Sequence, residues 1–238
     1  EKKSRQMASR IKALNPDAKI IFTGCACQKS PSSFSAKDPS FLVTGTFDKN
    51  KILDMVDSVG EQISSPCEQF EELLIPKSLR TRAYVKVQDG CNYFCTYCTI
   101  PFARGKSRNP RIEEVIKDAQ SALDQGAKEL IITGVNIGDF GRSTGENFID
   151  LLRAFDRLKG DYRVRISSCE PNLLTDEIID FVANSNHFAP HFHIPLQSGS
   201  NEVLAIMKRR YTRELFAERV QHIRKVMPHA FIGVDCRV

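Results

Sequence analysis

Three cysteines within eight residues carry the clearest chemical signal in this chain: Cys91-Asn92-Tyr93-Phe94-Cys95-Thr96-Tyr97-Cys98, a C-x3-C-x2-C spacing. Thiolates this close along one loop can converge on one soft metal centre. A structural zinc site takes four protein ligands, and a catalytic one takes three with an open position. No fourth Cys and no His lies nearby. A single zinc here would therefore keep one open position. In a cubane iron–sulfur cluster, one iron would lack a protein ligand and could bind a small molecule directly. Both readings stand on spacing alone, as does the blander one of buried, inert thiols.

The elements that must position this loop are legible around it. A strand-like run at 84–87 leads into it, and further runs follow at 129–133, 163–167, 191–194 and 231–235. Between the first two, Asn109 reads as a helix N-cap with Pro110 at the first helical position. Ile112, Val115, Ile116, Ala119 and Leu123 form one apolar stripe, and Gly126 stops the helix. A second stripe, Ile178, Ile179 and Val182, begins near Thr175. Strands alternating with helices imply parallel βαβ units. Five such strands predict an α/β fold, a partial β/α barrel, whose function sits at the C-terminal strand ends. The cysteine loop follows the first strand, as that rule requires.

The first sixty residues read as a separate, smaller α/β domain. Met7, Ile11 and Leu14 share one helical face, and Asn15-Pro16-Asp17 ends that helix. A buried strand at 19–23 runs into Gly24-Cys25-Ala26-Cys27-Gln28. Cys25, just past a strand end, could reach a ligand or simply fill core. The Ser- and Pro-rich stretch 30–40 predicts a loop. Ile52, Val56 and Val59 predict a short helix closing the domain at Gly60. Residues 61–80, with Pro66, Pro76 and an unpartnered Cys67, read as a linker to a second domain at 81–238. The chain opens on Glu1 and closes within a strand-like run, so it reads as an excerpt of a longer protein with a truncated barrel.

Other strand ends carry candidates. Thr133-Gly134-Val135-Asn136 is either a plain βα turn or a place where glycine lets a ligand approach the backbone. Ser167 and Ser168 end the third strand. His191 and His193 share one face of the fourth, where they line a cavity or serve the core. Gln197 lies past its end. Arg104, Lys106 and Arg108 follow the cysteine loop, and Lys208, Arg209 and Arg210 form a second basic run. Each run is either a solvated face or a contact for nucleic-acid phosphates.

With 41% hydrophobic residues, a proper core forms. The net charge of +5 permits an RNA partner. No apolar run approaches the about 20 residues of a membrane span, and no signal peptide opens the chain. Eight cysteines in a chain of this size, three of them clustered, point to a reducing cytoplasm rather than a stapled scaffold.

The 91–98 stretch resembles the signature of the radical S-adenosylmethionine (SAM) enzymes. The resemblance implies that Cys91, Cys95 and Cys98 hold a 4Fe–4S cluster whose open iron chelates SAM. It places Tyr97 near the SAM adenine and Thr133, Gly134 and Asn136 at the SAM amino group; Ser167 and Ser168, by their place at a strand end, either meet the ribose or serve the turn, and Gln197 lies on the same active face. Gly24-Cys25-Ala26-x-Gln28 looks like the G-C-x-A-Q segment of methylthiotransferases, with Ala26 and Cys27 standing where that pattern has x and Ala. By that likeness Cys25 is one ligand of a second 4Fe–4S cluster, its other ligands lying before Glu1, and Cys27 is incidental. The fold implied is a partial radical SAM β/α barrel preceded by part of an α/β methylthiotransferase domain.

The likeness covers nearly the whole chain and is strongest from Val85 to Gly141. Within it, 133–141 is similar to the MtaB-type branch, which methylthiolates C2 of N6-threonylcarbamoyladenosine at tRNA position 37. The resemblance implies reductive cleavage of SAM to a 5′-deoxyadenosyl radical, sulfur delivered at the auxiliary cluster and a methyl group from a second SAM. It also implies a tRNA whose phosphates meet Arg104, Lys106 and Arg108, and an electron donor such as flavodoxin or ferredoxin. The sulfur donor is left open. Rival readings are the isopentenyladenosine or ribosomal-protein branches, a single-cluster radical SAM enzyme, and a non-enzymatic zinc-binding RNA module.

Overall fold

The computed structural model describes residues 1–36, 38–65, 70 and 81–236. Of the expected linker, 66–69 and 71–80, with Pro66, Cys67 and Pro76, lie outside the described residues. Two compact units are present: Glu1–Glu68 with Thr99–Gly105, and Gln69–Cys98 with Lys106–Val238.

The first unit is built on three short parallel strands, β1 (Ile21–Phe22), β2 (Leu42–Thr44) and β3 (Gly60–Gln62), in the order β1-β2-β3. Helices α1 (Lys2–Leu14), α2 (Cys25–Lys29), α3 (Ser32–Ser35) and α4 (Ile100–Arg104) complete it. Ala8, Phe22, Cys27, Phe34, Phe41 and Val43 form the core. Helix α1 forms where expected, but Met7, Ile11 and Leu14 are exposed and Ala8 is its buried residue. The docking face is set by Ala8 and by Arg5, which donates to the Ser33 carbonyl and lies over the Phe34 ring.

Two further expectations are corrected here. The loop at 30–40 contains α3, because Pro31 at its N-cap has φ already near the helical value and Phe34 gains a buried site. The helix expected over 52–59 is replaced by a 3-10 turn at Lys49–Lys51 and further turns. Leu53, Val56 and Val59 find no apolar face and stay exposed. The chain instead extends at Gly60–Gln62 to pair with β2, a strand where helix end and linker were expected.

In the second unit, β4 (Arg82–Lys86), β5 (Glu129–Thr133) and β6 (Arg163–Ile166) pair in parallel in that order. Strand β7 (His191–His193) pairs in parallel with β8 (Phe231–Gly233). Bonds from Val164 N to His187 O, Ala189 N to Val164 O and Cys169 N to His193 O join β6 to the β7 segment. The five strands thus make one open parallel arc, the α/β partial barrel that the alternation predicts. Helices α5 (Ile112–Asp124), α6 (Phe148–Phe155), α7 (Asp176–Asn184), α8 (Asn201–Ile206) and α9 (Arg213–Val226) connect the strands. Leu130, Ile132, Val164, Leu151, Leu152, Phe155 and Ile179 are fully buried at the centre. No helix among the described residues is long and apolar enough to cross a membrane.

Thr175 caps α7 by accepting from Ile178 N, as expected. Asn109 does not cap α5. Arg111 is the N-cap, with Glu114 accepting from the Arg111 N–H. The buried Asn109 amide serves the loop after β5 instead, accepting from Gly141 N and Ser143 Oγ and donating to Thr144 Oγ1. At the other end of the sheet, Glu129 is almost buried and accepts from Arg82 of β4 and Arg165 of β6, with Arg163 also near. Burial pushes its carboxyl up, but Arg165, Arg82 and Arg163 outweigh this and hold it below its ordinary range.

Gly141 has φ +91, and a Cβ there would sit 1.9 Å from the Glu146 carbonyl oxygen. Gly126 has φ +101 but open space around it. Gly141→Ala should therefore cost at least about 2–3 kcal/mol of stability in urea unfolding, and Gly126→Ala about 1 kcal/mol. Equal losses would show that the Glu146 contact carries no cost.

Candidate functional site

The polar edge of the second unit lies at the C-terminal ends of its strands, and Gln88 organises it. Gln88 is the second residue past the end of β4 and is fully buried. Its Nε2 donates to Asp89 O at 3.0 Å, Gly90 O at 2.7 Å and Ser107 Oγ at 2.9 Å. Its Oε1 accepts from Val135 N at 3.0 Å and Asn136 N at 2.8 Å. One side chain thus ties the start of the cysteine loop to the loop after β5. Asp89 accepts from Lys86 at 2.8 Å and Arg108 at 3.0 Å, and its backbone pairs with that of Arg108. Burial pushes the Asp89 carboxyl up, but Lys86, the Gly90 N–H and Arg108 hold it below its ordinary range.

Cys91 and Cys95 are buried and Cys98 is partly exposed; all three are free thiols. Burial pushes Cys91 up to about 11; the Tyr93 backbone N–H opposes this, while Cys95, Cys98 and Asp139 add to it. The Cys91 sulfur therefore feels both of the others. Among the described residues no three His, Cys, Asp or Glu side chains are arranged to hold a single metal ion. A cubane spreads its three thiolates over three different irons. Three free thiols on one loop that offers no fourth ligand suit that larger group.

The basic run 208–210 is turned onto this loop rather than wholly toward solvent. Arg209 Nη1 donates to Cys95 Sγ at 3.3 Å and to Tyr97 Oη at 3.2 Å; its Nε donates to Tyr211 Oη, and it pairs with Glu170. Burial lowers the Arg209 pKa, but Glu170, Tyr211, Tyr97 and Cys95 outweigh this and keep it charged. Arg210 donates to Asn92 O at 2.8 Å and lies 4.0 Å from the Tyr93 ring centroid. Lys208 is exposed.

Other predicted residues fall on the same edge. A Cβ on Gly134 would lie 2.8 Å from the Gln88 carbonyl oxygen, so this glycine makes room for the cysteine-loop backbone. Asn136 is buried beside the Tyr93 hydroxyl, with neither amide atom in good hydrogen-bond geometry. Asp139, which sequence reasoning did not single out, pairs with Arg142 through Oδ1, while Oδ2 is buried without a partner. Gln197 has φ +63, donates its N–H to Asp235 O, and buries an unpartnered Oε1. Each such atom costs about 1–3 kcal/mol when nothing satisfies it. Several at one strand edge mark a place built for a polar ligand. Tyr97 is partly exposed, and Ser167 N continues the sheet to Ile132 O. Ser168 Oγ bonds His193 Nδ1, and the His191 ring stacks on Phe231.

The cations after the loop separate. Arg108 is buried in its pair with Asp89, and Lys106 is exposed. Arg104 belongs to the first unit, where its Nε donates to Cys25 Sγ at 3.4 Å. Cys25 begins α2, after Gly24 at φ +110. The thiol of Cys27 is buried and pushed up to about 11 by desolvation and then by Glu1, as suits core filler.

A family model described as the Radical SAM superfamily matches residues 85–235. The chain is 43% identical over 246 residues to the threonylcarbamoyladenosine tRNA methylthiotransferase MtaB of Bacillus subtilis (strain 168), covering 99% of this chain and 54% of that protein. It is 30% identical over 236 residues to the tRNA-2-methylthio-N(6)-dimethylallyladenosine synthase of Desulfitobacterium hafniense (strain Y51), covering 94% of this chain and 53% of that one. The chain spans about half the length of the curated relatives it matches. Among solved structures, apo, selenomethionine-labelled OxsB, a cobalamin-dependent S-adenosylmethionine radical enzyme, superposes with a TM-score of 0.70 at 15% identity. That match covers 98% of this chain and 39% of OxsB and concerns the fold alone.

Gln88→Glu keeps an acceptor for Val135 and Asn136 but loses the two N–H donors shared by Asp89 O, Gly90 O and Ser107 Oγ. It should destabilise the chain by about 3 kcal/mol or more, close to Gln88→Ala, because either change strands several buried groups. Chemical unfolding of both variants checks this; a wild-type midpoint for Gln88→Glu would mean that the donated bonds contribute nothing.

Proposed function

The chain belongs to the Radical SAM superfamily, and on that premise we propose that it forms the central part of a tRNA methylthiotransferase acting on C2 of N6-threonylcarbamoyladenosine at position 37. The observation that carries this is the free-thiol loop after β4, tied through Gln88 to a β5 edge with unsatisfied polar groups. The likeness to the Bacillus subtilis protein over 99% of this chain supports the choice of nucleoside.

In this reading Cys91, Cys95 and Cys98 hold a 4Fe–4S cluster, and Cys25 is one ligand of a second. When bound, the first cluster and SAM supply one-electron cleavage of the sulfonium and a radical able to activate an unreactive C–H bond. The chain's own residues bind, orient and exclude water. Burial of Cys91 and Cys95 keeps solvent from those two sulfurs. Asn136, with Thr133 and Gly134 beside it, receives the amino group of SAM, and Asp139 adds a carboxylate. Tyr97 packs near the adenine, Ser167 meets the ribose, and Gln197 closes the same face. Lys106 is the exposed cation we assign to tRNA phosphates. Arg104 and Arg108 reach them only by giving up Cys25 and Asp89. An electron donor such as flavodoxin or ferredoxin, and a cytoplasmic location, complete the proposal.

Two measurements test it. Mass spectrometry of tRNA nucleosides from cells lacking the gene should show loss of the methylthio group from threonylcarbamoyladenosine; loss from isopentenyladenosine instead would move the protein to the other tRNA branch. Anaerobically reconstituted Cys95→Ala should bind less iron and make no 5′-deoxyadenosine, whereas Cys25→Ala should keep uncoupled SAM cleavage and lose sulfur insertion. Wild-type cleavage by Cys95→Ala would remove that thiol from the ligand set.

A further inference from the structure

The segment after α8 forms a clasp on the cysteine loop. Thr96 N donates to Met207 O at 3.2 Å, Arg210 holds Asn92 O and covers Tyr93, and Arg209 reaches the sulfur of Cys95 and the hydroxyl of Tyr97. The Arg209 side chain is only 4% exposed. Its guanidinium is held from three sides: by Glu170 after β6, by the Tyr211 hydroxyl at 3.1 Å, and by the Tyr211 ring at 5.0 Å from its centroid. Tyr211 is fixed in turn by donating to Pro195 O at 2.6 Å. A fork this constrained cannot swing out to solvent without leaving the largely buried Glu170 carboxylate unpaired. One of its N–H groups points at a thiol rather than at an oxygen acceptor, although oxygen is the stronger acceptor. Arginine suits this task, since its planar fork serves several partners in fixed directions where lysine offers a point charge.

We propose that Arg209, braced by Glu170 and Tyr211, is a positioning residue that fixes the Cys95 sulfur and sets the electron affinity of the cluster this sulfur holds. The proposal rests on the assignment of Cys95 as a cluster ligand. The physical basis is general. An N–H bond and a positive charge at a ligating thiolate favour the more electron-rich, reduced cluster, and so raise its reduction potential. Removing them leaves the reduced state less stabilised, and electron delivery becomes harder. No bond is made or broken by Arg209, and it acts only through Cys95.

The test uses the anaerobically reconstituted holoprotein with Arg209→Gln and Arg209→Lys, followed by iron and sulfide content, melting temperature, redox titration read by electron paramagnetic resonance, and SAM affinity. Arg209→Gln should keep its iron and show a more negative midpoint potential. The expected shift is a tenfold change in the one-electron equilibrium, about 59 mV. Arg209→Lys, which keeps the charge but not the fork, should fall between. Should Arg209→Gln lose its iron, Arg209→Lys carries the comparison; iron lost from both at an unchanged melting temperature also supports the positioning role. Full iron with unchanged potential and spectrum overturns the proposal, and weakened SAM binding alone would then assign the guanidinium to the ligand. Iron and melting temperature falling together in both variants would also overturn it, reducing Arg209 to a core ion pair. A wild-type protein that assembles no iron–sulfur cluster defeats the cluster assignment itself, an outcome distinct from all of these.

Discussion

One buried amide holds the candidate site together. Gln88 uses both of its polar atoms at once, donating to the cysteine loop and accepting from the loop after β5. No other uncharged side chain of similar length can do this, because the task needs donor and acceptor on one planar end. The remaining constraints follow from it. Gly134 has no side chain because the Gln88 carbonyl occupies the space. Asp89 and Arg108 are buried as a pair because the loop that Gln88 fixes brings them together. Asn136 sits beside Tyr93 because its backbone is bonded to Gln88.

Much of the fold was legible in the sequence. The five barrel strands, the stripe of α5 and the cap of α7 all follow from period and capping chemistry, because these depend on neighbours within a few residues. The misses share a different cause. Asn109 looked like a cap, but a loop some thirty residues away claimed its amide. Ile52, Val56 and Val59 had helical spacing, but Val56 and Val59 had no surface to bury against. Strand β2, a short apolar run, was not recognised. In each case tertiary partners decided, and those partners are not written in the local pattern.

The site shows the same division. The three thiols declare themselves by spacing. Gln88, Glu170 and Arg209 do not, because their roles depend on chain segments 39 to 114 residues apart meeting in space. Arg209 was legible as a cation but not as a buried one, since the run 208–210 looks uniformly solvated until Glu170 and Tyr211 are placed. Asp139 lay inside a stretch that sequence resemblance had already marked, and burial of its free oxygen is what distinguishes it.

The Glu129 ion pairs have a consequence at the opposite end of the sheet. Glu129 stands directly across from Arg82 on β4 and Arg163 on β6. Apolar alternation by itself forbids a slip of one residue, which would turn the core outward, but it tolerates a slip of two. Glu129 bonds Arg82 of β4 and Arg165 of β6 at once, so a slip of two that set Tyr84 of β4 across from it would deprive the almost buried charge of its β4 partner. The Arg82 pair therefore acts as a vernier for β4 against β5. The height at which Gln88 and Gly134 emerge is graduated six residues away on β4 and five on β5, at the edge remote from the cysteine loop.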